Sequence, residues 1–301
     1  MSVATASPPV PATPTARRRT AIGVLTMVAS GAGNQVGAGL GAHAFPAVGP
    51  IGVVAVRQVV AAAVLLPLGR PRPRSFRWAH WWPMLLLALV FSTMNLTLYI
   101  AIDRIGLGLA VTLEFLGPLA VALGTSRSRV DLLCALLAGA GVVTLVAPGP
   151  STDYVGVGLA VVAAGCWASY ILLNRLLGVR LPGLQGPAVA TTIAAALYLP
   201  VLLVLIANGR FTVAAWGYAV CAGLLCSAVP YAADLIVLRR VPAQFFGVFM
   251  SVNPVLAAVA GMLTLRQMLG PREWAGILIV AAANAIAMWA QRGPGPDHSP
   301  C

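Results

Sequence analysis

Charge is what this sequence has least of. Of 301 residues, only 9% are charged and 59% are hydrophobic, whereas a water-facing surface needs roughly a quarter of the chain charged. That shortage excludes an ordinary soluble domain and leaves lipid as the medium covering most of the surface. Lysine is absent: all 19 basic residues are arginine, which reads as a coding bias. Acidic residues number only seven, giving a net charge of +12. The arginines lie in short clusters between apolar runs and form no continuous stripe, so nucleic acid is rejected as a partner. They read instead as topogenic signals facing the cytoplasm and anionic lipid.

Catalytic signatures are missing as well. There is no phosphate loop, no GxSxG, no HExxH and no paired histidine; His43, His80 and His298 fall in a loop, at a span edge and in the tail. An enzyme is not expected, and without a phosphate loop this chain cannot drive transport with ATP by itself. Any driving force should be an ion or substrate gradient. Of five cysteines, Cys134, Cys166, Cys221 and Cys226 lie inside apolar runs and Cys301 ends the chain, with no CxxC or Cys/His spacing. Cys221 and Cys226, five apart, occupy different helix faces. The cysteines read as small buried hydrophobes, and no metal or cofactor is expected.

Apolar runs are what the chain has in abundance. A helix crossing the bilayer needs about 20 mostly apolar residues. Ten segments qualify: 21–43, 47–68, 80–101, 107–124, 130–147, 155–177, 188–207, 212–236, 242–264 and 273–291. Turn chemistry separates them at Pro46 with Gly49-Pro50, Pro71 with Pro73, Pro148-Gly149-Pro150, Pro182-Gly183 and Asn208-Gly209. Residues 1–20 and 292–301 read as disordered cytoplasmic tails. Ala42-His43-Ala44 offers a small-x-small cleavage pattern, but the run before it exceeds a signal core, so it reads as a retained first span. Fourteen arginines fall on the side of the N-terminal tail and four on the other, with Arg57 inside a span. Both termini are therefore expected in the cytoplasm, in a multi-pass protein of the cytoplasmic membrane.

Superposing Pro118 on Pro254, an offset of 136 residues, places VTLEFLGPLAVA (111–122) against GVFMSVNPVLAA (247–258) and Arg104 on Arg240. Five spans separate the copies. An odd number reverses orientation, which gives the inverted repeat of many secondary transporters. The expected fold is an all-α membrane protein of ten transmembrane helices in two inverted five-helix repeats, 21–147 and 155–291, flanking a central cavity. Stretches such as GAGNQVGAGLGA (31–42) let such helices approach closely.

Of the ionisable residues that fall within spans, three stand out: Arg57, Glu114 and Asp234. Charge at membrane depth is costly, so each should face a cavity or a partner. Glu114 lies four residues before Pro118, which has no N–H for the carbonyl of residue 114. A carboxylate beside loosened backbone suits proton or cation handling. Arg57 suits a substrate carboxylate through its guanidinium fork, or else pairs statically with Glu114 or Asp234. Asp234 reads as an interfacial partner of Arg239 and Arg240. Asn34 and Gln35, Asn95, Asn174, Asn253 and Asn284 add polar groups that interhelical hydrogen bonds would mostly explain. Trp167 and Tyr170 share one helical face, and with Tyr99 and Tyr231 they could line a pocket or form a belt. Trp81 and Trp82, at a span end, read as belt.

Assembled, these stretches resemble the ten-helix EamA branch of the drug/metabolite transporter superfamily, and within it the threonine/homoserine exporter group. The likeness runs through MNLTLYIAI (94–102), GLAVTLEFLGPLAVAL (108–123), SRSRVD (126–131), AGCWASYILLNR (164–175) and RVPAQFFGVFMSVNPVLAAVAGM (240–262). Glu114-Phe115 with Gly117-Pro118, and Gly247 with Met250-Ser251 and Pro254, carry it most specifically. The resemblance implies two inverted five-helix halves and efflux of small hydrophilic amino acids in exchange for protons. It implies Glu114 as proton or amine site and helix breaks at Pro118 and Pro254. Arg57, Asn34, Asn95, Tyr99, Trp167, Tyr170, Tyr231 and Asn253 are then substrate-binding candidates. Where the group commonly carries carboxylates this chain has Asn253 and Gln267, which leaves Glu114 as the main membrane carboxylate. The alternatives are efflux of another metabolite or a drug on the same fold, which broad resistance on expression would reveal, and a non-transporting membrane scaffold or enzyme.

Overall fold

The computed structural model describes residues 14–124, 129–147, 149–150, 152–230 and 251–290, and no strand occurs among them. Their helices are α1 (Pro14–Ala42), α2 (Phe45–Gly69), α3 (Trp78–Ile105), α4 (Leu107–Glu114), α5 (Leu116–Gly124), α6 (Arg129–Val146), α7 (Tyr154–Arg180), α8 (Gln185–Ala207), α9 (Val213–Gly223), α10 (Asn253–Leu265) and α11 (Pro271–Ala290). A 3-10 turn spans Pro73–Ser75, and a π-helical segment, Leu224–Ala228, continues α9.

Local chemistry sets the ends. α2 opens on Phe45-Pro46, kinks where Gly49 takes φ 67° ahead of Pro50, and stops where Arg70 turns left-handed at φ 41°. Asp153 caps α7 by accepting from the N–H of Gly156 at 2.9 Å. Thr212 does the same for α9 through Ala215 at 3.2 Å. α1 differs from expectation at its start: the helix begins at Pro14, inside the stretch read as tail. Proline is tolerated in a first turn, and the Ala-Arg-Arg-Arg that follows is made of good helix formers.

Five stretches are long and apolar enough to cross a membrane: Phe45–Gly69, Trp78–Ile105, Leu107–Gly124, Tyr154–Arg180 and Gln185–Ala207. Shorter apolar helices run over Leu132–Val146, Val213–Ser227 and Asn253–Leu265. Large side chains such as Leu132, Leu136, Val143, Leu197 and Leu203 point outward, as a lipid-facing surface requires.

Hydrocarbon offers no hydrophobic drive for helix association, so small residues and close van der Waals contact must supply it. α2 packs along α8, α3 along α7 and α6 along α11, while α1 lies against α9 and α10, and α4 against α7 and α10. Glycines permit the closest approaches. A methyl on Gly117 of α5 would run into the carbonyl oxygen of Ala164 in α7, and one on Gly37 of α1 would meet Leu225 and Cys226 of the π segment. The α3–α7 seam is pinned at both ends. Arg104 pairs with Asp153 at 2.9 Å; at the other end Arg180 donates to the carbonyl of Ala79 at 2.7 Å and lies over the Trp82 ring.

Candidate functional site

The apolar run 107–124 is two helices, not one. α4 ends at Glu114 and α5 begins at Leu116, with Phe115 as the joint. Pro118, in the first turn of α5, has no N–H for the carbonyl of residue 114, so the break falls where the sequence places the loosened backbone. The Phe115 ring meets Trp167 of α7 edge-on at 4.6 Å. Together with the Gly117–Ala164 approach, that contact holds the joint against α7. Glu114 is buried there, within electrostatic reach of Cys166 on α7 and of Arg57 on α2.

Arg57 sits at the middle of α2, about 18 Å from either end at 1.5 Å per residue. It is part-buried. Its guanidinium carbon lies 5.3 Å from the centroid of the Tyr99 ring, a cation–π contact between α2 and α3. Glu114 comes within electrostatic reach but does not close an ion pair; Arg104–Asp153 is the one ion pair among the described residues.

Tyr99 is fully buried, edge-on to Phe45 at 5.8 Å and close against Gly41 of α1. Its hydroxyl lies within electrostatic reach of Arg57 and of the Cys226 thiol. No described group meets it in hydrogen-bonding geometry; the same holds for Gln58 Nε2 and Ser92 Oγ. Cys226, in the π segment, donates to the backbone oxygen of Asn34 at 3.1 Å. One residue further along α1, Gln35 donates to Asn253 of α10 at 3.5 Å, and both side chains are buried.

Arg57, Tyr99, Glu114 and Trp167 are thus gathered around one interior region; Cys226 links it to the Asn34 backbone, and the Gln35–Asn253 pair follows one residue further along α1. Other residues behave differently. Asn95 bonds the carbonyl of Phe91 at 2.8 Å, Asn174 that of Tyr170 at 2.9 Å, and Asn284 that of Val280 at 3.0 Å. Interhelical bonding, expected for most of the span amides, holds for Gln35 with Asn253 and not for these three, each of which turns to its own helix, where the carbonyl four residues back is the nearest acceptor. Tyr170 stacks edge-on with Phe91 at 5.2 Å in a separate apolar cluster. Pro254 stands in the first turn of α10 and so begins that helix. Tyr231, Asp234, Arg239, Arg240, Gly247 and Met250 lie outside the described residues.

Two participants escaped the sequence reading. Cys226 looked like a small buried hydrophobe, because helical spacing does not anticipate the π segment that aims it at α1. Gln267 was noted only as a replacement for a carboxylate. Its Oε1 accepts from the N–H of Leu107 at 2.9 Å, capping α4 and wedging its amide between Gly106 and Gly261. Its trace in the sequence is glycine at 106 and 261, where the amide needs the room.

Comparison with known proteins points one way. The EamA-like transporter family matches residues 154–289. The threonine/homoserine exporter RhtA of Salmonella typhimurium strain LT2 is 35% identical over 280 residues, 90% of this chain and 93% of that protein. The exporter of the same name from Escherichia coli strain K12 is 35% identical over 269 residues, 87% and 89% of the two chains. A crystal structure of a protein with 17% identity superposes with a TM-score of 0.59, covering 93% of this chain and 99% of that one. That last likeness concerns the fold alone.

Proposed function

Because the chain belongs to the EamA-like transporter family, we propose that it exports small polar amino acids of the threonine and homoserine kind by proton-coupled antiport across the cytoplasmic membrane. It is a multi-pass membrane transporter and not an enzyme. The cargo reading rests on similarity to the threonine/homoserine exporters along nearly the whole chain. The observation carrying the mechanism is that an acid and a cation within apolar spans, Glu114 and Arg57, lie within electrostatic reach of each other and close no ion pair. An amino-acid zwitterion presents the complementary pair of charges. Arg57 takes its carboxylate, and Glu114 takes either its ammonium group or the coupling proton.

Alternation follows from ten spans in two inverted halves, 21–147 and 155–291, with both termini in the cytoplasm. The pairings support it. Exchanging each span for the one five places on leaves the α2–α8, α6–α11 and α4–α10 contacts in place and turns the α3–α7 seam into the α1–α9 seam. The broken helix at Phe115 supplies the joint about which the halves rearrange. Trp167 closes the apolar side of the site through Phe115, and Asn34 and Asn253 lie on the wall made by α1 and α10. Asn95, Tyr170 and Tyr231 remain candidates for later stages of passage.

Counterflow of radiolabelled threonine and homoserine in proteoliposomes tests this reading. Accelerated uptake of label against unlabelled amino acid is expected. Its absence, with the protein folded in the vesicles, moves the cargo to another metabolite or a drug on the same fold.

A further inference from the structure

Tyr99 is the largest of the fully buried side chains. Its hydroxyl is buried too, and no described group meets it in hydrogen-bonding geometry. A buried hydroxyl without a partner is unfavourable, and proteins rarely keep one without a reason. Phenylalanine would fill the same space, keep the edge contact with Phe45 at 5.8 Å and still lie beneath Arg57 at 5.3 Å. Packing therefore explains the ring and leaves the oxygen unexplained.

Arg57 presents the matching excess. Its guanidinium carries donors in a planar fork, yet among the described residues no carboxylate and no carbonyl receives them. The Cys226 thiol beside both groups is already committed to the carbonyl oxygen of Asn34 at 3.1 Å. Two sets of donors, one of them cationic, thus lie side by side between α2 and α3.

We infer that Tyr99 Oη and the Arg57 guanidinium form a two-donor subsite for a carboxylate, with Tyr99 reading the acid oxygen that separates an amino acid from its amide. This assignment rests on the exporter reading for the identity of the carboxylate. In the bound state one carboxylate oxygen accepts from the guanidinium and the other from the phenol. The cation remains over the ring, where it pulls electron density from the phenol and strengthens its donor. An amide has one acceptor oxygen in place of two and brings an NH₂ group against the guanidinium donors, so it is disfavoured.

The test is thermal unfolding of the purified full chain in detergent, titrated with L-threonine, L-threoninamide and L-lactate, for wild type and Tyr99→Phe. Threonine should raise the melting temperature and threoninamide should not. In Tyr99→Phe the half-saturating threonine concentration should rise about tenfold, the effect of losing one charge-assisted hydrogen bond. The melting temperature without ligand should not fall, because no described group meets that hydroxyl in hydrogen-bonding geometry. Stabilisation by lactate but not threonine, lost in Tyr99→Phe, keeps the subsite and overturns the exporter reading. Threonine binding unchanged in Tyr99→Phe, or equal stabilisation by the amide, overturns the subsite and leaves the exporter reading standing. Stabilisation by none of the three overturns the subsite.

Discussion

Arg57 on α2 and Glu114 at the end of α4 lie within electrostatic reach of each other yet make no ion pair. Opposite charges in a medium of low polarity attract strongly, so their separation must be imposed by the helices that carry them. The packing shows how. The Phe115 joint ties Glu114 to α7, while the Tyr99 ring holds Arg57 from the other side.

Arg57→Lys keeps the charge but replaces a planar fork with a point donor on a different stem. We predict a KM for amino acid raised about tenfold, equivalent to about 1.4 kcal/mol, with the protein still folded. Arg57→Ala should abolish uptake. Both are read from initial rates in proteoliposomes at matched protein density; an unchanged KM in the lysine variant would remove Arg57 from the binding site.

Gln267 acts as an N-cap supplied from another part of the chain. Gln267→Ala leaves the Leu107 N–H without its acceptor and should destabilise the protein by about 1 kcal/mol, the usual cost of a lost cap. Gln267→Glu keeps an acceptor and adds negative charge at a helix N-terminus, which favours it. Its melting temperature should match or exceed that of wild type. Equal losses in both variants would mean that the amide's packing between Gly106 and Gly261, and not its oxygen, is what counts.

Much of this arrangement can be read before folding. Glu114 stands out because a carboxylate in an apolar run must have a reason, and Pro118 four residues on marks where the helix breaks. The α2, α3, α7 and α8 spans follow directly from apolar length. What the chain does not announce is decided by packing between distant segments. Cys226 reaches Asn34 only because a π turn shifts its register, and Gln267 reaches Leu107 only because glycines at 106 and 261 leave room. The asparagines mislead for a related reason: an amide inside a helix always has its own carbonyl four residues back, and Asn95, Asn174 and Asn284 take it.

Asp153 makes the fold's stability depend on acid. The Gly156 N–H first, and Arg104 second, hold its carboxyl below its ordinary value. A carboxylate whose pKa is lower folded than unfolded adds stability that is complete above the unfolded value and is lost as pH falls through the folded one. Asp153→Ala should therefore melt below wild type at neutral pH, and the gap should close as pH drops below about 4. Asp153→Asn, which keeps a capping oxygen but loses the ion pair, should lie between them. A gap that persists unchanged in acid contradicts this account.

Gly117 and Gly139 separate packing from composition. A side chain at Gly117 would strike the Ala164 carbonyl, whereas nothing stands within 4 Å of one at Gly139. Gly117→Leu is expected to prevent recovery of folded protein from membranes, and Gly139→Leu to be tolerated with a change in stability within about 0.5 kcal/mol. Size-exclusion profiles and melting curves of the two purified variants decide it; a folded, active Gly117→Leu would refute the close α5–α7 approach.

The central proposal, amino-acid export coupled to protons with Glu114 as the proton site, is tested most directly by measuring Glu114→Gln in two assays on the same proteoliposomes. Glutamine matches the shape of glutamate and cannot exchange a proton. Wild type should show threonine uptake that an imposed pH gradient accelerates, as well as counterflow without a gradient. The account predicts that Glu114→Gln retains counterflow and loses the response to the gradient. A variant whose uptake still follows the pH gradient as wild type does would contradict it.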